Sequence, residues 1–281
     1  MCEFCMKHGE GHKWYLEASN YSEDLLSDLK RQRFIKHFYG DPGSLLSKVK
    51  KLELLDKAPW LVKRFVRWRA IRQQKRQHYG QVIPIEDVER ILDLTNSVVR
   101  VTCICRHLTT GRERRYCYGV SMGPNGGELA KLLGGLNESF ISGPDAKGLE
   151  TLSKEEVLAL FAQHEKEGLC HSVWTFGTPF IAGLCNCDRP DCLAMQTTMG
   201  HDLPVMFRSE YLAQVDEDLC VGCRACMERC QFGAMGFSAA RDTVFIEARA
   251  CYGCGVCRSA CESEAITLHP RQEVPAVAGL W

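Results

Sequence analysis

The sequence lacks the segments and motifs by which many functional classes are recognised. No apolar run approaches the roughly 18 residues of a membrane-spanning helix, and the first residues contain no apolar signal-peptide core. There is no G-x-G-x-x-G dinucleotide fingerprint, no Ser/His/Asp arrangement and no paired-carboxylate motif. The glycine-rich stretch 119–136 does not end in the Gly-Lys-Ser/Thr of a phosphate loop. A flavin or nicotinamide, if one is used, is therefore expected in a partner protein.

Cysteine, in contrast, is abundant, with 17 in a chain of 281 residues. Without a secretory signal, so many cysteines indicate a reducing, cytoplasmic environment and bound metal rather than disulfides. Because exposed thiolates are easily oxidised, their number also favours an anaerobic or low-oxygen setting.

The cysteines between 220 and 261 form an internal repeat. Each half has the spacing C-x2-C-x2-C-x3-C, and the two halves are offset by 31 residues. Three thiolates from one loop can bind a [4Fe–4S] cube, and the fourth cysteine of such a motif ligates the other cluster. We therefore expect one cluster on Cys220, Cys223, Cys226 and Cys261, and a second on Cys251, Cys254, Cys257 and Cys230.

On these residues, the region 210–270 resembles a bacterial-type two-[4Fe–4S] ferredoxin domain. Small residues, including Gly222 and Gly253, would let backbone amides approach the sulfurs. The chain departs from the usual pattern after each fourth cysteine, where Gln231 and Glu262 replace proline. Two four-thiolate zinc sites remain an alternative interpretation of the spacing.

A second group of cysteines precedes the repeat. It comprises Cys103, Cys105, Cys117, Cys185, Cys187 and Cys192. Two C-x-C pairs at neighbouring strand ends could supply four or more thiolates to a third [4Fe–4S] cluster or to zinc. Reduced cysteines without metal are the remaining alternative. Cys170 is expected to be a buried small hydrophobe and His171 a structural histidine.

The segment around this group also resembles part of a known kind of protein. A helix and strand lead into Cys103-Ile-Cys105-Arg106, and a later Ser-capped helix leads to Glu167-Gly-Leu-x-His171 and then a Cys-Asn-Cys loop. Over residues 82–270 this order resembles larger, poorly characterised multi-cluster iron–sulfur proteins that end in a two-cluster ferredoxin. The dense cysteines that follow Cys-Asn-Cys in those proteins are reduced here to Cys187-x4-Cys192.

The pattern of the chain predicts an α+β fold with three regions and a tail. Residues 1–80 should be a helical, basic N-terminal region, and residues 81–209 an α/β domain carrying the second cysteine group. Residues 210–270 should be the ferredoxin domain and residues 271–281 a C-terminal tail. Ser153 and Glu156 form a capping box that predicts a helix to about Lys166.

The first region also contains a cysteine/histidine motif. Cys2, Cys5, His8 and His12 have spacings that could bind zinc or contribute to a cluster. A tail in which these residues coincide by chance is an equally open interpretation.

The net charge is zero but is distributed unevenly. Residues 1–80 carry 17 Lys/Arg and 9 Asp/Glu, while the remaining 201 carry 18 and 26. Much of the positive charge lies in a predicted helix from Trp60 to His78, which could bind an anionic membrane or nucleic acid, or pack its apolar stripe on the preceding helices. We favour packing, because no zinc-finger, RNP or helix-turn-helix signature supports nucleic acid.

Together these features predict an iron–sulfur electron carrier or electron-transfer subunit. It would pass single electrons through two or three [4Fe–4S] clusters to partner redox proteins such as a flavin- or metal-containing oxidoreductase. One alternative is a reductase whose chemistry takes place at the 103–192 cysteines. Another is a redox or iron sensor in which the basic helix binds DNA. The sequence does not specify the oligomeric state.

Overall fold

The computed structural model describes residues 12–112, 114–136 and 148–280. Within these ranges the fold is α+β, with a mixed sheet, surrounding helices and a ferredoxin-like C-terminal part. The α-helices are α1 (Leu29–Gly40), α2 (Pro42–Asp56), α3 (Trp60–Gln77), α4 (Ile85–Leu94), α5 (Ile104–Thr110), α6 (Gly127–Gly134), α7 (Lys154–Lys166), α8 (Leu193–Met195) and α9 (Ala225–Arg229). The 3₁₀ segments are Trp14–Leu16, Ala18–Tyr21, Glu23–Ser27, Pro124–Gly126, Val256–Ala260 and Arg271–Glu273, and a π-turn covers Gln196–Gly200.

A seven-stranded sheet is the centre of the described structure. Its strands, in order across the sheet, are β4 (Glu150–Leu152), β2 (Ser97–Val101), β3 (Cys117–Ser121), β6 (Ile181–Cys187), β5 (Cys170–Thr175), β1 (Gly80–Val82) and β7 (Met206–Phe207). Neighbouring strands run antiparallel, except that β1 and β7 are parallel. The register pairs Cys117 with Cys185 and Cys170 with Cys187, so cysteines from three strands meet at one end of the sheet.

Side chains alternate between two hydrophobic cores on the faces of this sheet. Val173 and Leu184 belong to the first core, with residues of α4 and α7. Cys170, Trp174 and Cys187 belong to the second, with residues of α1, α6 and α8. The cysteines of β5 and β6 are therefore shielded by the helices that cover the second face.

The segment before α1 is part of the core. Trp14, Tyr15 and Tyr21 are buried in it. Tyr15 donates a 2.6 Å hydrogen bond to the fully buried carboxylate of Asp87, and Lys13 lies 3.2 Å from the same carboxylate. Because a buried charge without a partner is costly, these contacts anchor the segment to α4.

Several predicted helices are observed where the sequence placed them. Ser153 and Glu156 form both hydrogen bonds of the capping box at the start of α7. In the N-terminal region, Ser22 caps the 3₁₀ segment Glu23–Ser27. The α-helix begins after Asp28, whose side chain accepts a 2.7 Å hydrogen bond from the amide of Lys30.

The prediction that the apolar stripe of the basic helix packs on its neighbours is wrong. Helix α3 buries none of its residues, and Trp60, Leu61, Phe65 and Trp68 are exposed. The helix contacts the rest of the protein instead through residues such as Ile71, which packs against the first core. Apolar residue types occur on several sides of this helix, so their positions in sequence did not identify the inward side.

Two small sheets form the C-terminal part. β8 (Tyr211–Val215) pairs antiparallel with β11 (Ile266–Pro270), and β9 (Met235–Ser238) pairs with β10 (Thr243–Ile246). Arg258 connects this part to α4 by 2.7 and 3.0 Å hydrogen bonds to the carboxylate of Glu86. No helix in the described part of the chain is both long and apolar enough to cross a bilayer.

The packing of the N-terminal segment gives a stability prediction. Trp14→Ala, at a site only 1% exposed, should lower the free energy of unfolding by about 3–5 kcal/mol, because it leaves a cavity in the core. Trp60→Ala is the matched control at a site 64% exposed, and should change it by about 0.5 kcal/mol or less. Anaerobic denaturant titration followed by far-ultraviolet circular dichroism measures both, and equal losses would contradict the assignment of Trp14 to the core.

Candidate metal centres

Each half of the cysteine repeat folds as a loop followed by one short helical segment. The first loop leads into α9 and the second into the 3₁₀ segment Val256–Ala260. The residue before each segment, Arg224 or Gly255, has a positive φ, which turns the chain sharply into the helix. Each segment ends immediately before the fourth cysteine, Cys230 or Cys261.

The first three cysteines of the first motif share a small pocket with the last cysteine of the second. Cys220, Cys223, Cys226 and Cys261 all line it. Burial, and after it the nearby charges of Cys261 and Cys223, raise the pKa of Cys226 to about 11. Cys223 is exposed, so this pocket lies at the protein surface.

The remaining four cysteines of the repeat lie deeper. Cys251 and Cys257 are buried. Burial raises the pKa of Cys257 to about 12, with further contributions from Cys251 and Cys230, so the last cysteine of the first motif lies among those of the second. Cys226 also contributes to this shift, which shows that the two sets are adjacent.

Two equivalent glycines hold these loops against neighbouring backbone. Gly222 and Gly253 both have positive φ. A Cβ atom at Gly222 would lie 2.4 Å from the carbonyl oxygen of Asp242, and one at Gly253 would lie 2.0 Å from that of Tyr211. The amide of Gly253 also donates a 3.3 Å hydrogen bond to the sulfur of Cys251, the type of contact that tunes an iron–sulfur cluster.

The chain beyond the repeat supports the second motif. Arg271 is buried, and its guanidinium donates to the carbonyl oxygens of Ser209, Tyr211 and Cys251 at 2.7–3.0 Å. Val277 is buried in the same hydrophobic cluster as the ferredoxin cysteines. The segment after residue 270 is thus packed against the domain that precedes it.

The six cysteines of the second group also come together. Cys117 begins β3, Cys185 and Cys187 lie on β6, Cys103 and Cys105 lie at the start of α5, and Cys192 precedes α8. The sulfurs of Cys117 and Cys185 are 3.4 Å apart, as are those of Cys187 and Cys192. Cys103 interacts with Cys105 and Cys117, and Cys105 with Cys192, which joins all six into one group.

This six-cysteine group contains thiols of different acidity. Hydrogen bonding from Cys105 and then Cys117 lowers the pKa of Cys103 well below its usual range, and that from Cys105 and then Cys187 lowers the pKa of Cys192. The same contacts raise the pKa values of Cys105, Cys117 and Cys187. Cys103 and Cys192 are therefore the more acidic members of the group.

Arg106 supplies a buried positive charge beside these thiols. It donates a hydrogen bond of 3.8 Å to the sulfur of Cys103 and one of 3.0 Å to the carbonyl oxygen of Asn186. It also forms ion pairs with Asp188 at 2.9 Å and Asp191 at 3.8 Å. An always-charged side chain held in this way favours anionic sulfur over neutral thiol.

Cys170 lies between the six-cysteine group and the second motif of the cysteine repeat. It is fully buried on β5 opposite Cys187. Burial raises the pKa of Cys254, and the charge of Cys170 is the next largest cause, so Cys170 also lies near the second motif. His171, its neighbour, is fully buried and has its Nδ1 2.6 Å from the side-chain oxygen of Asn186.

A cavity of about 300 Å³ adjoins the six-cysteine group. All six cysteines line it, together with side chains of α1, α2, α6 and β5. Tyr39 and His78 are among the lining residues and were not singled out from the sequence. No local motif marks them, because Tyr39 belongs to an ordinary aromatic helix and His78 to the residue after α3.

The cysteine groups can be tested against the two kinds of metal centre that the sequence suggested, zinc and a [4Fe–4S] cluster. In the described part of the chain, no three His, Cys, Asp or Glu side chains are arranged to hold a single metal ion. A [4Fe–4S] cube places each thiolate on a different iron, and soft thiolate donors are those it requires. All-cysteine sets, partly buried and touched by backbone amides, fit such a cube.

Of the N-terminal motif, Cys2, Cys5 and His8 lie outside the described residues, and only half-buried His12 is described.

Comparison with known proteins agrees with the C-terminal geometry. Residues 219–266 match the family described as a 4Fe-4S dicluster domain. A stretch of 59 residues is 34% identical to the "Archaeal-type glutamate synthase [NADPH]" of Thermotoga sp. (strain RQ2), and equally to that of Thermotoga maritima. That stretch covers 21% of this chain and 12% of each relative. The chain therefore carries an iron–sulfur dicluster domain of the kind used in electron transfer, and the likeness does not extend to the whole relatives.

The close approach of the second loop to β8 yields a testable difference between two glycines. Gly253→Ala should reduce the iron bound per chain, because its Cβ would overlap the carbonyl oxygen of Tyr211. Gly233→Ala is the matched control, since its φ of +66° is close to the +69° of Gly253 but its Cβ would meet no atom. Both share left-handed strain of about 1 kcal/mol. Iron analysis after anaerobic purification compares them, and full iron in Gly253→Ala would contradict the packing of this loop.

Proposed function

We propose that this protein transfers single electrons through three [4Fe–4S] clusters. The outer cluster is held by Cys220, Cys223, Cys226 and Cys261, and the inner cluster by Cys251, Cys254, Cys257 and Cys230. Four members of the six-cysteine group hold the third. A cluster bound at each set supplies one-electron oxidation and reduction, and the chain fixes the spacing, shields the sulfurs and tunes them.

One observation carries this proposal, namely an unbroken succession of cysteines through the protein. It begins at exposed Cys223 and passes to the inner set, because Cys226 acts on Cys257. It continues from Cys254 to Cys170, and then to Cys187, which lies opposite Cys170 across β5 and β6. Adjacent redox groups in this order favour a linear path from the surface to the six-cysteine group.

The surface around the outer set suits a redox partner. Val221, between two of its cysteines, is 70% exposed, and Leu219 beside Cys220 is also exposed. Exposed apolar side chains beside a partly exposed cluster site favour transient docking. We propose a flavin- or metal-containing oxidoreductase as partner, since the relatives that share this region are named as NADPH glutamate synthases.

Within the chain, Arg106 has a defined part in this proposal. Its charge lies against Cys103 and is compensated by Asp188 and Asp191. It would partly neutralise a cluster whose thiolates are all anionic and would make that cluster easier to reduce. Its hydrogen bond to the carbonyl oxygen of Asn186 also fixes the end of β6 between Cys185 and Cys187.

A second candidate function is a reductase, and the cavity beside the six-cysteine group favours it. A relay centre needs no space next to it, whereas a centre at which a substrate reacts does. In this version the outer and inner clusters deliver electrons to the six-cysteine group, and a small molecule in the cavity receives them.

Crossed ligation of the outer and inner clusters is tested by combining cysteine substitutions. If Cys230 and Cys254 serve one cluster, adding Cys254→Ser to Cys230→Ser should cost no further iron. Adding Cys223→Ser to Cys230→Ser should remove about four more irons, because it removes a ligand of the other cluster. The opposite pattern in iron analysis and electron paramagnetic resonance would show that each motif holds its own cluster.

The number of clusters is tested by iron and acid-labile sulfide on anaerobically purified protein. Three clusters require about 12 of each per chain, and two require about 8. The triple variant Cys105→Ser, Cys187→Ser, Cys192→Ser leaves only three thiols of the group and should fall to about 8 irons, while Cys170→Ala, which removes no proposed ligand, should keep about 12. About 8 irons in the unmodified chain would refute the third cluster.

A further inference from the structure

The cavity beside the six-cysteine group is lined by more than sulfurs. Leu45, Val49 and Leu52 of α2 line it, as do Leu203 and Val205. Its volume, about 300 Å³, is at the lower end of the range of small-molecule pockets. The α2 residues in this lining, Leu45, Lys48, Val49 and Leu52, include no ligand for iron, so they offer contacts to another occupant.

The lining defines what that occupant can be. Aliphatic and aromatic side chains dominate it, and among the residues that the structure describes no aspartate or glutamate lines it. Of its two basic residues, Arg106 is paired with Asp188 and Asp191, and Lys48 is exposed on α2. A charged molecule would lose hydration on entry without gaining a partner inside, whereas an uncharged apolar one would be favoured.

His78 gives the apolar cavity a hydrogen-bond acceptor. Its ring lies among those of Phe38, Trp174 and Phe176, with centroids 4.6–5.0 Å away. Burial lowers the pKa of His78 to about 4, so the ring is neutral at pH 7. Nδ1 lies 2.5 Å from the carbonyl oxygen of Thr175 and must donate to it, which leaves Nε2 unprotonated and able to accept.

Tyr39 gives the cavity a donor near the sulfurs. Its ring stacks on Phe176 with centroids 5.9 Å apart. Tyr39 lines the cavity together with all six cysteines. A tyrosine hydroxyl is protonated at pH 7 and can donate a hydrogen bond.

We propose that this cavity binds a small, uncharged molecule with an aromatic or similarly apolar body and one hydroxyl or N–H group that donates to His78. The proposal deepens the reductase candidate, on which it rests for its biological meaning, by naming the substrate class. Bound there, the molecule lies between the acceptor of His78 and the donor of Tyr39, with the cysteines at one side.

The proposal is tested first with three probes that each carry one benzene ring, of which phenol and toluene are equal in size. Phenol, toluene and benzoate are titrated calorimetrically into the anaerobically purified, full-length protein. Phenol should bind, and toluene, which has no donor, should bind about 5–10-fold more weakly, the value of one hydrogen bond. Benzoate should bind more weakly than phenol because of its charge. Absence of phenol binding, or tighter binding of benzoate, would overturn the proposal.

Two substitutions on one helix locate the binding site. Val49→Trp fills the cavity from α2 without touching a cysteine and should abolish phenol binding. Leu54→Trp, at a position 71% exposed on the same helix and outside the cavity lining, should bind phenol as the unmodified protein does. Equal binding by the two variants would place phenol elsewhere and overturn the proposal.

His78→Phe separates the hydrogen bond from the shape of the pocket. It keeps an aromatic ring and removes the acceptor, so phenol affinity should fall about 5–10-fold while toluene affinity is retained. Retained toluene binding also shows that the variant is folded. Unchanged phenol affinity would remove His78 from the site.

Iron content measured on the same sample separates this proposal from the three-cluster proposal. Phenol binding with about 8 irons per chain would refute the third cluster and support the cavity assignment. About 12 irons without phenol binding would support the third cluster and refute the cavity assignment.

Discussion

The antiparallel pairing of β5 with β6 is the constraint on which the rest of this structure depends. It places Cys170 opposite Cys187 and, through β3, Cys185 opposite Cys117. Because side chains alternate along a strand, a register shift of one residue would turn these sulfurs to the other face of the sheet. The six-cysteine group and its approach to the ferredoxin part therefore exist only in the observed register.

The same sheet also lets the protein shield its cysteine sulfurs from solvent. The helical first third covers the face on which Cys170, Cys187 and Cys192 are buried, and the ferredoxin part closes its end through Phe232 and Tyr252, whose rings stack 4.1 Å apart. In such a low-dielectric region anionic sulfur needs compensation, which Arg106 provides next to Cys103. This compensation supports the third centre that we propose for the six-cysteine group.

The fold places the outer pocket and the six-cysteine group on either side of the inner set. The outer pocket lies at the protein surface, and the six-cysteine group lines a cavity of about 300 Å³. A path with a protein at one end and a small molecule at the other is the arrangement expected of a reductase fed by an electron donor. A relay between two proteins would need a second exposed terminus, and the basic helix α3 lies on the side of the cavity where such a partner could dock.

The sequence by itself determined the local features. The repeat between 220 and 261 and the capping box at Ser153 could both be read because their signals lie within a few neighbouring residues. The grouping of six cysteines was anticipated from two C-x-C pairs at strand ends. Only the tertiary structure decided that Cys170 lies between the six-cysteine group and the ferredoxin part, that α3 is exposed, and that Tyr39 and His78 line a cavity. These depend on strand register and helix packing between residues far apart in the chain, which no local pattern encodes.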